Sequence, residues 1–293
     1  MSDAARTTRL RIIVNVDDLG MHPAVRRAVE ECAAIGVVTS ASVMANGPDL
    51  ASVRPVRGVS MGAHLNVLRG RPLSPPHEVR SLVGPSGLFL GSFGRFAARA
   101  LRGAIRRDEL RLEWSRQIVR LREHGLELSH ADGEKHTHCL PGLFEVACEV
   151  ARDAGIPWVR RSAESHGNPA IGVPWLRRAL LNAWCERARP CAGVRCADAV
   201  WGIAEQGARF TSAACARALH DLDGGRDGAT VEIVCHPGRA HRGDPALPDG
   251  FGRMRVADLW EPELRSLLED PWREVAEVNG WTLTGFDRLD RLD

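Results

Sequence analysis

Tyrosine is absent from all 293 residues, so no phenol can act as a proton donor or hold an oxyanion. No Cys-x-x-Cys pair occurs among the eight cysteines. Cys32, Cys148 and Cys215 fall in helix-like patterns, so reduced, mostly buried thiols in a cytoplasmic protein are expected rather than a disulfide framework. A zinc site in the loose group Cys185, Cys191 and Cys196 is the less favoured reading. No apolar run is long enough to span a bilayer, and MSDAARTTRL has no apolar core after its charges, so no signal peptide is read there. The net charge is only +2, with arginines scattered among acids and no basic block, which removes the electrostatic case for nucleic acid. No Gly-x-Gly-x-x-Gly follows the first strand-like run, so a dinucleotide fold lacks its signature. Heptads and a disordered tail are also missing, which leaves little for a scaffold protein.

What is present is an alternation of strand-like and helix-like stretches. Residues 10–16 read as a strand, and Ala24, Val25, Ala28, Val29, Cys32 and Ala33 recur at helical spacing. Strands are expected at 37–46, 59–67, 126–132, 156–162, 198–203, 230–238 and 281–286. Helices are expected around 110–121 (stopped at Gly125), 143–150, 175–188, 212–222 and 261–270. Residues 68–106 are rich in Gly, Pro and Arg and read as a long excursion over one end of the fold. Seven or eight βα units without internal repeat or compositional break predict a single α/β domain over 1–293, a TIM-like (β/α) barrel.

Polar residues gather where the strands end, which is where barrel enzymes keep their active sites. Asp17 and Asp18 close the first strand, and two adjacent acids are costly unless a cation is shared between them. The plainer reading is that one of them caps the helix beginning near Pro23. His64 ends the third strand and His236 the seventh, each of which could be structural. SHADGEKHTH places His130, Asp132, Glu134, His136 and His138 at alternate positions. Such density is expensive to bury without a metal or polar ligand, the alternative being a solvated loop. Arg160 and Glu164 flank the end of the fifth strand, where an ordinary ion pair is the plain expectation. Arg69 and Arg71 are candidates for substrate selection.

Taken together, VNVDDLG, VVTSASVMANGP, MGAHLNVLRGRPLSPP, HADGEKHTHCLP and VEIVCHPG, in that order, resemble the YdjC-like carbohydrate deacetylases. The resemblance runs from about Leu10 to Phe286. A fainter likeness in PLSPP and SLVGPSGLF is to the hopanoid-biosynthesis branch of that family. The resemblance implies a TIM-like barrel and a hydrolase of carbohydrate metabolism that removes acetyl from an N-acetylated saccharide or glycoside. By it Asp17 matches the general base, Asp18 and His64 two ligands of one divalent metal ion, and His236 a histidine near the leaving group, the candidate acid. Arg160 matches a position lining the substrate pocket, where Asp132, His136 and His138 are also expected.

One position departs from the family pattern. The third ligand is the first histidine of an Asp-x-His-x-His-x-His motif, and here that position is Glu134. Glu134 can still ligate, with preference moved from Zn²⁺ towards Mg²⁺ or Mn²⁺. Alternatively His136 or His138 takes the place, or the metal or the hydrolysis is lost and the chain is a sugar-binding, non-hydrolytic relative. The acetylated sugar is not legible, and a homo-oligomer is left open.

Overall fold

The computed structural model describes residues 10–164, 173–220 and 228–291, so the reading of the first nine residues lies outside the described residues. The apolar runs become strands because both of their faces are covered: Ile12 to Leu19 are all buried. In chain order the elements are β1 (Arg11–Leu19), α1 (Pro23–Ala34), β2 (Ser40–Val43), β3 (Ser60–Leu65), α2 (Phe93–Leu101), α3 (Arg107–Glu123), β4 (Leu128–Gly133), α4 (Phe144–Asp153) and β5 (Trp158–Val159). There follow α5 (Val173–Arg187), β6 (Ala199–Trp201), α6 (Ser212–His220), β7 (Thr230–Cys235), α7 (Glu261–Glu269), α8 (Trp272–Val278) and β8 (Thr282–Leu283). Every expected strand and helix is present among the described residues, the end of the expected 212–222 helix lying outside them. Among the described residues two α-helices were not foreseen: α2, inside the 68–106 excursion, and α8. The cap of α1 is neither Asp17 nor Asp18 but His22, whose Nδ1 accepts from the Ala24 amide at 3.1 Å.

All strand pairings are parallel, in the order β5-β4-β3-β2-β1-β7-β6, with β8 paired to the start of β1. The sheet is curled. In a flat sheet β5 and β7 would lie five spacings apart, roughly 24 Å, yet Arg160, next after β5, bonds Glu232 of β7 at 2.8 Å. The expected barrel is therefore met as a curled parallel sheet whose path runs through seven strands, with β5 and β6 at its ends and β8 off the path beside β1. An isolated parallel bridge from Trp158 to Arg195 approaches that gap. One apolar cluster runs from Leu10 to Trp281, chiefly between sheet and helices.

The inside of the curl is graded in polarity, because alternate strand residues point inward. At the bottom Ile13, Trp158, Phe286 and Leu289 form a separate apolar plug. Above it lies a neutral polar layer: Ser40 Oγ donates to Asn15 Oδ1 at 2.6 Å, and His130 Nε2 meets the same oxygen at 3.0 Å. His130 stacks on Phe286 with centroids 4.3 Å apart, and burial pushes its pKa down to about 4. Gly62 makes room for that ring, since a Cβ there would lie 2.2 Å from His130 Nε2. The next layer upward is charged.

The excursion is tied down rather than loose. Glu113 of α3 accepts from the amides of Leu73 and Ser74 at 3.0 and 2.8 Å, and the Gly70 amide bonds the Gly250 carbonyl at 3.1 Å. This brings residues 68–71 against 250–252 above the ends of the strands.

Candidate metal centre and active site

Adjacent residues of a regular strand point to opposite faces, so Asp17 and Asp18 could not share a site on an unbroken β1. The break is a bulge. Val16 pairs with Ala41 but Leu19 with Val43, three steps on β1 against two on β2, and Asp18 takes φ +67°. Lys135 and His136 also have positive φ, at +49° and +56°. Left-handed backbone at non-glycine residues is costly. All three such residues among those described lie beside this centre.

The charged layer is organised by Arg160, whose side chain is wholly enclosed. Its Nη1 and Nη2 donate to Asp17 Oδ2 and Oδ1, each at 2.7 Å, and Nε to Glu232 Oε1 at 2.8 Å. Nη2 also lies 2.7 Å from Asp132 Oδ2. Asn15 Nδ2 gives Asp17 a further hydrogen bond at 2.8 Å. Burial by itself would raise the Asp17 pKa, but the Arg160 guanidinium holds that carboxyl well below the usual carboxylate range. One guanidinium cannot neutralise three carboxylates equally, and burial pushes Glu232 up to about 7.

Above this layer stand Asp18, His64 and Glu134. His64 Nδ1 is 2.6 Å from Asp132 Oδ1, and a proton on Nδ1 is donated to that carboxylate. Nε2 then faces Asp18 Oδ1 and Glu134 Oε2, each 3.3 Å away. Asp18 Oδ1 is buried and makes no hydrogen bond. Burial, and next the charge of Glu134, push the Asp18 pKa up. Glu134 is held below its usual range against burial chiefly by Arg69, whose Nε donates to Oε1 at 2.6 Å.

These residues fit a divalent cation. Ligand atoms of Asp18, His64 and Glu134 lie within 4.8 Å of one another. The orphaned oxygen and the repulsion between Asp18 and Glu134 are what a cation relieves, and a carboxylate behind an imidazole is the usual support of a metal-binding histidine. Asp17, His64 and Asp132 lie equally close together, but their atoms are already committed to Arg160 and to one another. The cysteines form no such group among the described residues, and all eight are free.

His236, at the end of β7, completes the site. Its Nε2 is 3.9 Å from Asp17 Oδ2 and its Nδ1 3.8 Å from Glu263 Oε2. Burial opposes the charged imidazole, but Glu263 and then Asp17 outweigh it and push the pKa up to about 9. Glu263, wholly buried on α7, also accepts from the backbone amides of His236 and Gly207.

Of the residues singled out from sequence, Asp17, Asp18, His64, Asp132, Glu134, Arg160 and His236 come together. Several differ from expectation in their surroundings. Arg160 and Asp132, expected at a substrate pocket, are enclosed and spent on one another, Asp17, Glu232 and His64. His138 is also enclosed, with Nε2 on the Arg160 carbonyl at 2.8 Å, away from the Asp18–His64–Glu134 group. His136 remains half-buried, with Nδ1 unpartnered and its pKa pushed down to about 4 by burial and Arg160. Glu164 does not pair with Arg160; it accepts from the amides of Gly202, Ile203 and Ala204. Two residues escaped the sequence reading. Glu232 shows only as an acid inside the apolar run VEIVC, and Glu263 as an ordinary helix acid.

The YdjC-like protein family matches residues 11–277 of the chain. Proteins named carbohydrate deacetylase match it at 30% identity in Mus musculus (96% of each chain) and 31% in Homo sapiens (96% of this chain, 92% of that one). A third so named, from Geobacillus stearothermophilus, is 36% identical over 88% of this chain and 89% of its own. A solved structure from Enterococcus faecalis, described as a candidate cellobiose-phosphate cleavage protein, superposes with a TM-score of 0.72 at 22% identity, covering 96% of this chain and 99% of that one. That last likeness is one of fold.

Proposed function

The chain belongs to the YdjC-like protein family, and from that premise we propose that it is a metal-dependent carbohydrate deacetylase, a TIM-like barrel hydrolysing the amide of an N-acetylated saccharide or glycoside in the cytoplasm. The observation that carries this reading is the convergence of Asp18, His64 and Glu134 beside an Asp17–His236 pair. Asp18, His64 and Glu134 hold the cation in this reading, with Mg²⁺, Zn²⁺ or Mn²⁺ as candidates. When bound there, a divalent cation supplies a Lewis acid for the amide carbonyl and makes water more acidic.

The chain's own groups then move the protons. Asp17 is ionised throughout the physiological range, fixed by Arg160 and Asn15, and takes a proton from the attacking water. Its low pKa makes it a weak base, which the acidifying effect of a cation held by Asp18, His64 and Glu134 would offset. His236, protonated at neutral pH because of Glu263 and Asp17, gives its proton to the departing amine nitrogen. The products are acetate and a free amino sugar. The half-buried His136 is assigned to the substrate; Arg160, Asp132 and His138 act behind the surface by fixing Asp17, His64 and the loop that carries Glu134.

The test is a screen of N-acetylated saccharides and glycosides for acetate release, with chelator-stripped protein and with each cation restored. Cation-dependent release is expected. Sugar binding without acetate under every metal condition would instead favour the non-hydrolytic relative suggested by Glu134.

A further inference from the structure

Glu134 does not stand alone in its place. Arg69 Nε donates to Glu134 Oε1 at 2.6 Å, and its Nη1 donates to the Phe251 carbonyl. The Arg69 backbone is clamped on both sides: its amide donates to Asn66 Oδ1 at 3.0 Å, and its carbonyl accepts from Asn46 and Asn66 at 2.9 and 2.8 Å. Gly70 seats Phe251 so closely that a Cβ there would lie 2.3 Å from the ring. The guanidinium therefore reaches Glu134 from a fixed base, and its side chain is 18% exposed. The other Glu134 oxygen, Oε2, is the one that faces His64 Nε2.

We infer that Arg69 is a positioning residue for the cation, committing one oxygen of Glu134 and cancelling its charge so that the Glu134–Arg69 pair stands in electrostatically for a neutral ligand. The inference rests on the cation reading of Asp18, His64 and Glu134. With His64 neutral, Asp18, Glu134 and Arg69 sum to one negative charge, as one carboxylate and two imidazoles would. Arg69 thereby offsets the drift towards hard cations that two carboxylates would otherwise bring. A second free carboxylate oxygen would favour larger cations that accept more ligands.

The experiment is calorimetric titration of Zn²⁺, Mn²⁺ and Ca²⁺ into the parent, Arg69→Met, Glu134→His and the double variant, with Arg69→Lys as the charge-keeping control and thermal melts to confirm folding. Arg69→Met should raise the affinity for Mn²⁺ and Ca²⁺ relative to Zn²⁺ on the order of tenfold, the scale of coupling between residues in contact, while Arg69→Lys should not. Glu134→His alone should weaken all three cations, because it strands the Arg69 charge beside them, and adding Arg69→Met should restore binding. Equal factors in both backgrounds, or no effect of Arg69→Met, would overturn the role of Arg69 while leaving the metal centre intact. A parent that binds none of the cations would contradict the metal centre and this inference together. If Arg69→Met fails to fold, Arg69→Gln carries the same comparison.

Discussion

Replacing Glu263 by Gln tests the proposal that His236 is the acid of the reaction. Glu263 is buried on α7, faces His236 Nδ1 at 3.8 Å and accepts from the His236 amide. It is the main opposite charge lifting His236 from its ordinary value of 6.5 to about 9. That gap corresponds to about 3 kcal/mol favouring the protonated imidazole in the folded protein. Because the folded value lies above the unfolded one, the stabilisation is complete below pH 6.5 and is lost as pH rises through about 9. Glu263→Gln removes the charge but keeps one acceptor for the two amides, at a cost of roughly 1–3 kcal/mol for the one left unsatisfied. With His236 as the proposed acid, the alkaline limb of the kcat/KM profile should move down by about one pH unit or more, towards 6.5. Acetate release measured from pH 5 to 10, with the melting temperature followed across the same range, reads both effects. An alkaline limb that stays in place, in a variant that folds, would remove His236 as the acid.

Other expectations follow from the same geometry. Asp17→Asn should lower turnover on the order of a hundred- to ten-thousand-fold while sparing cation affinity, because Asp132 and Glu232 still hold Arg160. Arg160→Met should be far more damaging to stability, by roughly 3–5 kcal/mol or more in a denaturant titration, because it leaves buried carboxylates without their cation. Gly62→Ala would drive a methyl to 2.2 Å from His130 and should cost about 1–3 kcal/mol, read from the same titration.

Legibility differed between backbone and site for physical reasons. Strands buried on both faces must be apolar along their outer side, so LRIIVNV and VEIVC announce themselves. α2 was hidden because its Gly- and Arg-rich surroundings read as loop, and α8 because it is a short seven-residue segment close behind α7. Asp17, Asp18, His64, Glu134 and His236 stand out because, although each has a plainer explanation alone, together they gather acids and histidines at the ends of several strands. That Asp17 and Asp18 share one site depends on a bulge, which propensity does not encode. Partners brought from far along the chain were also invisible: 72 residues separate Arg160 from Glu232, and 65 separate Arg69 from Glu134. Arg160 consequently reads as a pocket residue from sequence, and emerges as the buried hub that holds three carboxylates.

The most direct test of the metal centre is an anomalous-difference map from crystals of the protein loaded with Zn²⁺ or Mn²⁺. One peak per chain is expected, enclosed by Asp18, His64 and Glu134. A map with the metal elsewhere, or with only water between Asp18 and His64 in a well-ordered site, would contradict it.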